Sequence, residues 1–214
     1  MMYSPTQYRE ERMDLIYEVI QNYSFATLIT MTSEGPFVSH LPVLLDSAKK
    51  VLLSHCARGN PLWTHFKEGN PVTVIFNGPH AYISPAWYKP DQDNVPTWNY
   101  VAIHVKGTAR IIEDFHDAYS VMNKLVQNYE DQYRTGWVLP VEPNDTLKND
   151  LNRGITVFEI TMDHVEAKFK LSQKQNSEDR GSVIDNLLKT SGEQGSALAE
   201  YMKKVLTSGK KENE

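Results

Sequence analysis

The ten residues 54–63, SHCARGNPLW, hold a histidine, the chain's single cysteine, an arginine and a tryptophan. A β-rich run ends at His55, Arg58 follows, and the chain turns through Gly59 into a helix that Asn60 caps and Pro61 opens. A strand end, a guanidinium and the free N–H groups of a helix start converge there, and such a point attracts an anion. A phosphate fits that description, and so does the simpler arrangement of a helix cap beside a solvated Arg58. Upstream, GPFVSHLP (35–42) carries Ser39 and His40 in a strand just before Pro42. Proline cannot donate to a ladder, which implies an edge or a bulge. The hydroxyl and the imidazole are candidate donors to the same anion, and His40 is equally explained as a hydrogen-bonded structural histidine.

A second stretch, HAYISPAWYKPDQDNVPTWNY (80–100), puts five aromatic residues and three prolines into a chain that is 10% aromatic overall. Pro85, Pro90 and Pro96 rule out a continuous helix, so it reads as a stiff loop between strands. Its rings suit a flat apolar ligand, a second subunit or the protein's own core. The hydrolytic and nucleotide templates are missing: there is no G-x-S-x-G elbow, no Walker loop, no G-x-G-x-x-G and no H-E-x-x-H. His55 and Cys56 are neighbours in a strand and point to opposite faces, which does not make a nucleophile and base. Seven histidines without ligand spacing support no metal.

The elements that must position these residues are legible from periodicity. EERMDLIYEVIQNY places Met13, Ile16, Tyr17 and Ile20 at helical spacing. Seven short β-rich runs follow, at 25–31, 37–45, 51–55, 71–77, 80–84, 100–113 and 155–162, several separated by turn signals such as Ser-Glu-Gly and Asn-Gly. That density predicts a closed antiparallel sheet. NPLWTHFKEG is a short helix, DFHDAYSVMNKLVQNYED (114–131) a longer one capped by Asp114, and TLKNDLNR a third. We expect one barrel domain over 1–168 and a helical appendage over 169–214, with two short helices around Ile184–Leu188 and Leu198–Val205 and a fraying KKENE end.

At 214 residues and 40% hydrophobic content the chain has ample material for a packed core. The polar start MMYSPTQYREERMD, the lone cysteine and the lack of an apolar run of membrane-spanning length lead us to expect a cytoplasmic protein with no membrane partner. Net charge is −5, opposite to what nucleic-acid binding usually shows. From Val165 onward there are nine basic and eight acidic residues, so a DNA contact, if one exists, belongs to a local patch.

The order of motifs carries a resemblance. FATLITMTSEGPFVSHLPVLL and VLLSHCARGNPLWTHFKEGNPVTVIFNG resemble the opening half of the FMN-binding split barrels, which include pyridoxamine-phosphate oxidases and flavin reductases. GPHAYISPAWY, VPTWNYVAIHVKG, KLSQ and EDR are similar to the PaiB-type FMN-binding negative transcriptional regulators of bacteria, over about Tyr3 to Leu188. The resemblance implies a mainly β, six-stranded split barrel of Greek-key type with flanking helices, a homodimer, and FMN between subunits. It implies that Arg58, with Ser39 and His40, holds the phosphate, and that Leu41, Pro42, His55, Cys56, Ala57, Asn60 and Trp63 line the same site. Trp98, Asn99 and Tyr100 would wall the ring, and Lys170, Ser172 and Gln173 would complete the site or the dimer seam. The function it implies is repression of sporulation and degradative-enzyme genes. An FMN-dependent oxidoreductase is the alternative, followed by haem binding in the same groove and a scaffold without cofactor.

Overall fold

Apolar residues at every second position of long β-rich runs give this chain an antiparallel sheet, and the computed structural model describes it over residues 2–67, 69–89 and 94–208. Seven strands occur among the described residues: β1 (Phe25–Thr32), β2 (Gly35–Asp46), β3 (Val51–Ala57), β4 (Pro71–Ile83), β5 (Thr97–Ile111), β6 (Ile155–Thr161) and β7 (His164–Lys170). The helices are α1 (Met13–Asn22), α2 (Leu62–Lys67), α3 (Phe115–Tyr133), α4 (Asp145–Gly154), α5 (Ser177–Thr190) and α6 (Gly192–Ser208). The hydrogen-bonded strand order is β4-β1-β2-β3-β6-β5-β7, and β4 pairs with β5 as well. Six strands therefore close a ring, with β7 outside it on β5. Residues 90–93, including Pro90 of the aromatic stretch, and the KKENE end lie outside the described residues.

The chain forms two compact units. One comprises Met13–Phe76 and His104–Val165, the other Met1–Arg12, Asn77–Ile103 and Glu166–Glu214. β4 and β5 are long enough to contribute a segment to each. In the first unit, β1 and β2 pair with Phe25 opposite Pro42 and Thr32 opposite Gly35, and β3 and β6 pair with Val51 opposite Thr161. Their inward residues Leu28, Val43, Leu52, Phe158 and Ile160 are buried. On the other face of β3 and β6, Leu53 and Val157 pack with Val121 and Leu125 of α3. In the second unit α5 and α6 bury Val183, Leu187, Leu198 and Met202, and Phe169 of β7 meets the ring of Tyr201 edge-on at 5.9 Å.

The helix starts follow from capping chemistry. Asp114 accepts from the N–H groups of His116 and Asp117 at 2.9 and 3.0 Å, Asn144 from Leu147 at 2.9 Å, and Asn176 from Asp179 at 2.8 Å. The strands depart from expectation in four places. The runs at 71–77 and 80–84 are one strand, because Gly78 is not a turn residue: a Cβ there would lie 2.9 Å from Cβ of Val101, so its absence lets β5 approach. β7 was not expected, since HVEAKFK alternates with charged and imidazole side chains instead of showing an apolar run. β3 continues past His55 to Ala57. Pro42 marks neither an edge nor a bulge: β2 pairs with β1 up to Pro42 and with β3 from Val43 onward, so the missing N–H falls where the strand changes partners. The Pro42 carbonyl accepts from Ser54 Oγ at 2.7 Å.

Candidate functional site

The residues singled out by sequence fall into two groups, one in each unit. In the Met13–Phe76, His104–Val165 unit, Arg58 leaves the end of β3 with its N–H bonded to the Gly154 carbonyl at 2.7 Å. Its guanidinium lies 5.3 Å from the centre of the Trp63 ring and donates to the Asn152 carbonyl at 3.1 Å. The Trp63 indole N–H returns a bond to the Arg58 carbonyl at 2.9 Å. A planar cation stacked on an aromatic face and set at the last turn of α4 is held in one orientation, while its side chain stays exposed. An oriented, exposed fork is suited to an oxyanion.

Asn60 joins β2 to the start of α2. Its Oδ1 accepts from the Leu62 N–H at 3.0 Å and its Nδ2 donates to Ser39 Oγ at 3.0 Å. Ser39 is buried, whereas the next residue, His40, is exposed on the other face of β2, where its Nδ1 meets Thr27 Oγ1 at 3.1 Å and its ring stacks on Phe25. The structure therefore brings Ser39 and Asn60 together and places the His40 side chain away from them, as the two-residue period of a strand requires. Leu41 is buried, Pro42 is half-buried and Ala57 is exposed.

His55 is half-buried, its Nδ1 has no partner among the described residues, and burial holds its pKa below the ordinary histidine value. It is neutral at neutral pH. Cys56, facing the other way, is fully buried; burial pushes its thiol up to about 11, and the nearby Arg58 charge and the backbone N–H of Trp63 offset that only in part. At pH 7 the thiolate fraction is then on the order of 10⁻⁴, against a few per cent for a free thiol. We expect Cys56 to resist an aromatic disulfide reagent in the folded protein and to react with one equivalent once guanidinium unfolds it. Immediate titration of one thiol under native conditions would contradict this burial.

In the Met1–Arg12, Asn77–Ile103, Glu166–Glu214 unit, the beginning of β5 and the end of β7 assemble. Lys170 Nζ donates to the Trp98 carbonyl at 2.8 Å and to Thr97 Oγ1. Burial and the neighbouring Lys168 charge lower its pKa. Asn99, 1% exposed, donates from Nδ2 to Ser172 Oγ at 2.8 Å, while its Oδ1 has no partner among the described residues. Gln173 bridges the bend, accepting from the Leu171 N–H at 2.7 Å and donating to the Phe169 carbonyl. Ser172 sits at φ +60°, a left-handed conformation that these bonds must hold. The structure thus brings Trp98, Asn99, Lys170, Ser172 and Gln173 together at the beginning of β5 and the end of β7.

The aromatic stretch divides by exposure. Tyr88 is buried, Trp87 and Tyr100 are half-buried, and Trp98 is 53% exposed, with His80 at 6.3 Å and Tyr82 edge-on at 6.1 Å between ring centres. His80, Tyr82 and Trp98 thus form an outward aromatic cluster beside a lysine and a buried amide, a flat apolar surface with polar atoms at its edge. Two further features escaped the sequence reading. Lys168 is buried with its ammonium 5.2 Å from the ring centres of both Tyr3 and Tyr100, and it donates to the Tyr3 carbonyl at 2.9 Å. Asp179, 1% exposed, accepts from the Lys89 N–H at 3.0 Å and from Asn176 Nδ2 at 2.7 Å, tying one end of the aromatic loop to the start of α5. Nothing local in the sequence marks either group as buried; only the EDR motif drew notice to the second.

Comparison with known proteins adds to this geometry. Residues 2–164 match the model of the family described as "Putative FMN-binding domain". The chain is 33% identical over 207 residues to "Protease synthase and sporulation protein PAI 2" of Bacillus subtilis (strain 168), covering 96% of this chain and 98% of that protein. Its fold is similar to the flavocytochrome Anf3 from Azotobacter vinelandii, with a TM-score of 0.61 at 11% identity over 82% of this chain and 75% of that one. It is also similar to the FAD and heme binding protein from Mycobacterium smegmatis, with a TM-score of 0.60 at 11% identity over 81% and 78% of the two chains.

Proposed function

This chain belongs to the FMN-binding domain family, and from that premise we propose that it is a flavin-binding regulator that lowers expression of protease and sporulation genes. Its relationship to the Bacillus subtilis protein over nearly the full length of both chains carries the regulatory reading. The fold is that of the split-barrel flavoproteins, and FMN is the cofactor.

The residues present fit that cofactor. Its phosphate is a dianion, which Arg58 would hold with the exposed fork that Trp63 and Asn152 orient. In the other unit, the exposed Trp98 cluster beside Lys170 and the Asn99 amide is a separate candidate surface for a large flat ring with polar edges. Bound flavin supplies one- and two-electron redox chemistry; the chain's own residues bind and orient it and shield it from water. The test is an absorption spectrum of the purified protein with and without added FMN. A flavin band that saturates at one FMN per chain supports the reading, and no saturable binding overturns it. Anaerobic bleaching of that band by NADH or NADPH would make the protein an oxidoreductase instead.

Regulation does not require contact with DNA. A net charge of −5 opposes phosphate binding, so we expect no shift of candidate promoter DNA in a gel titration at physiological salt. We also propose that the protein is a homodimer paired through the outward face of β1 and β2. The register sets Phe25 opposite Pro42, Ile29 opposite Val38 and Met31 opposite Pro36, and Phe25, Met31 and Val38 are 72%, 57% and 47% exposed. An apolar face of this kind is what a subunit contact would cover. Met31→Glu with Val38→Glu should convert a two-chain mass in light scattering to a one-chain mass, with the circular dichroism unchanged.

A further inference from the structure

The unit formed by Met13–Phe76 and His104–Val165 contains a cleft of about 160 Å³ between the end of β5, the first turns of α3, the last turn of α4 and the start of β6. Its apolar lining includes Ile111, Phe115, Met122, Leu151, Ile155 and Val157. Several of these continue the layer packed around Leu53, Val121 and Leu125, so the cleft opens directly onto core. That volume is the size of a cavity that takes one benzene ring. A side chain as large as leucine or phenylalanine is the scale of ligand it suits.

The polar part of the lining narrows the chemistry. Among the lining residues Arg58 and Glu113 are the two that carry charge, one of each sign. A ligand with only a carboxylate or only an ammonium would meet one favourable and one unfavourable charge, whereas a zwitterion answers both. Arg58 is already oriented by the Trp63 ring and the Asn152 carbonyl, so little freedom is lost on engaging it. Thr156, 2% exposed and also in the lining, has a hydroxyl with no partner among the described residues. We propose that this cleft binds a free α-amino acid with a branched or aromatic apolar side chain, its carboxylate at Arg58 and its ammonium at Glu113.

The experiment is calorimetric titration of the full chain, freed of flavin, with L-leucine and L-phenylalanine. The same titration with 4-methylpentanoate and 3-methylbutylamine presents one charge at a time. We expect saturable binding of at least one amino acid with Kd below about 1 mM, and single-charge analogues weaker by about tenfold or more. Glu113→Gln, at an exposed position, should weaken the amino acid by about tenfold and leave FMN affinity unchanged. Ala118→Trp, which fills the cleft, should abolish amino-acid binding. No saturation by either amino acid, equal affinity for the single-charge analogues, or an unchanged affinity in Glu113→Gln would each overturn the proposal. Arg58 also serves the flavin reading, but binding is measured without flavin and read at Glu113, so failure of either reading leaves the other standing.

Discussion

Gly107→Ala is expected to destabilise the protein by about 3 kcal/mol or more, the cost of forcing atoms into a filled core at the upper end of what overpacking brings. A Cβ built on Gly107 lies 1.8 Å from the carbonyl oxygen of Thr161 and 2.7 Å from its carbonyl carbon. Both are backbone atoms, so no side-chain rotation relieves the overlap. The surroundings resist a shift, because the Thr108 N–H donates to Thr161 Oγ1 at 2.9 Å and the Asp163 N–H to the Lys106 carbonyl at 3.0 Å. For a chain of this length the loss corresponds to a fall in Tm of roughly 10 °C, measurable by calorimetry. Gly154→Ala is the control: a Cβ there meets nothing within 4 Å at the end of α4, and Tm should stay the same or rise slightly. Equal behaviour of the two variants would show that β5 does not pass Thr161 as described.

Arg58→Ala is expected to weaken FMN binding at least tenfold, about 1.4 kcal/mol, with Tm and circular dichroism unchanged. The residue is exposed, and the Asn152 carbonyl that it leaves behind can turn to water, so folding loses little. Binding loses a charge-assisted fork, which contributes more than a neutral hydrogen bond. Arg58→Lys should fall between, because lysine keeps the charge but neither stacks on Trp63 as a plane nor offers two parallel donors. The loss should shrink at high salt, as it does for exposed charges. Unchanged affinity in Arg58→Ala, followed by flavin fluorescence, would place the phosphate elsewhere.

Much of the framework can be traced to short-range signals. Asn60 and Asp114 announced helices because a capping side chain is bonded within three residues of itself. Alternation announced β1 and β2 because a strand with one buried face repeats every two residues, and β3 and β6, buried on both faces, were announced by their short β-rich runs. The same reasoning failed at Gly78, which resembles a turn locally but answers to Val101, and at β7, whose lysines and glutamate hide a strand. Pro42 was misread for a related cause: a missing donor has several remedies, and a change of partner strand is not visible from the strand itself.

The candidate site divides in the same way. The sequence by itself determined the ring of antiparallel strands, the starts of α2 and α3, the presence of an arginine at the β3–α2 turn and the chemical types available to a flavin. Only the tertiary structure decided that Arg58 lies over Trp63, that Ser39 faces Asn60 while His40 faces outward, that Asn99 is buried against Ser172 some seventy residues away, and that Trp98 is the exposed ring while Tyr88 is not. Capping and periodicity are contained in a few consecutive residues. Burial and orientation depend on which distant atoms arrive at the same place, and a position's neighbours in the chain do not carry that information.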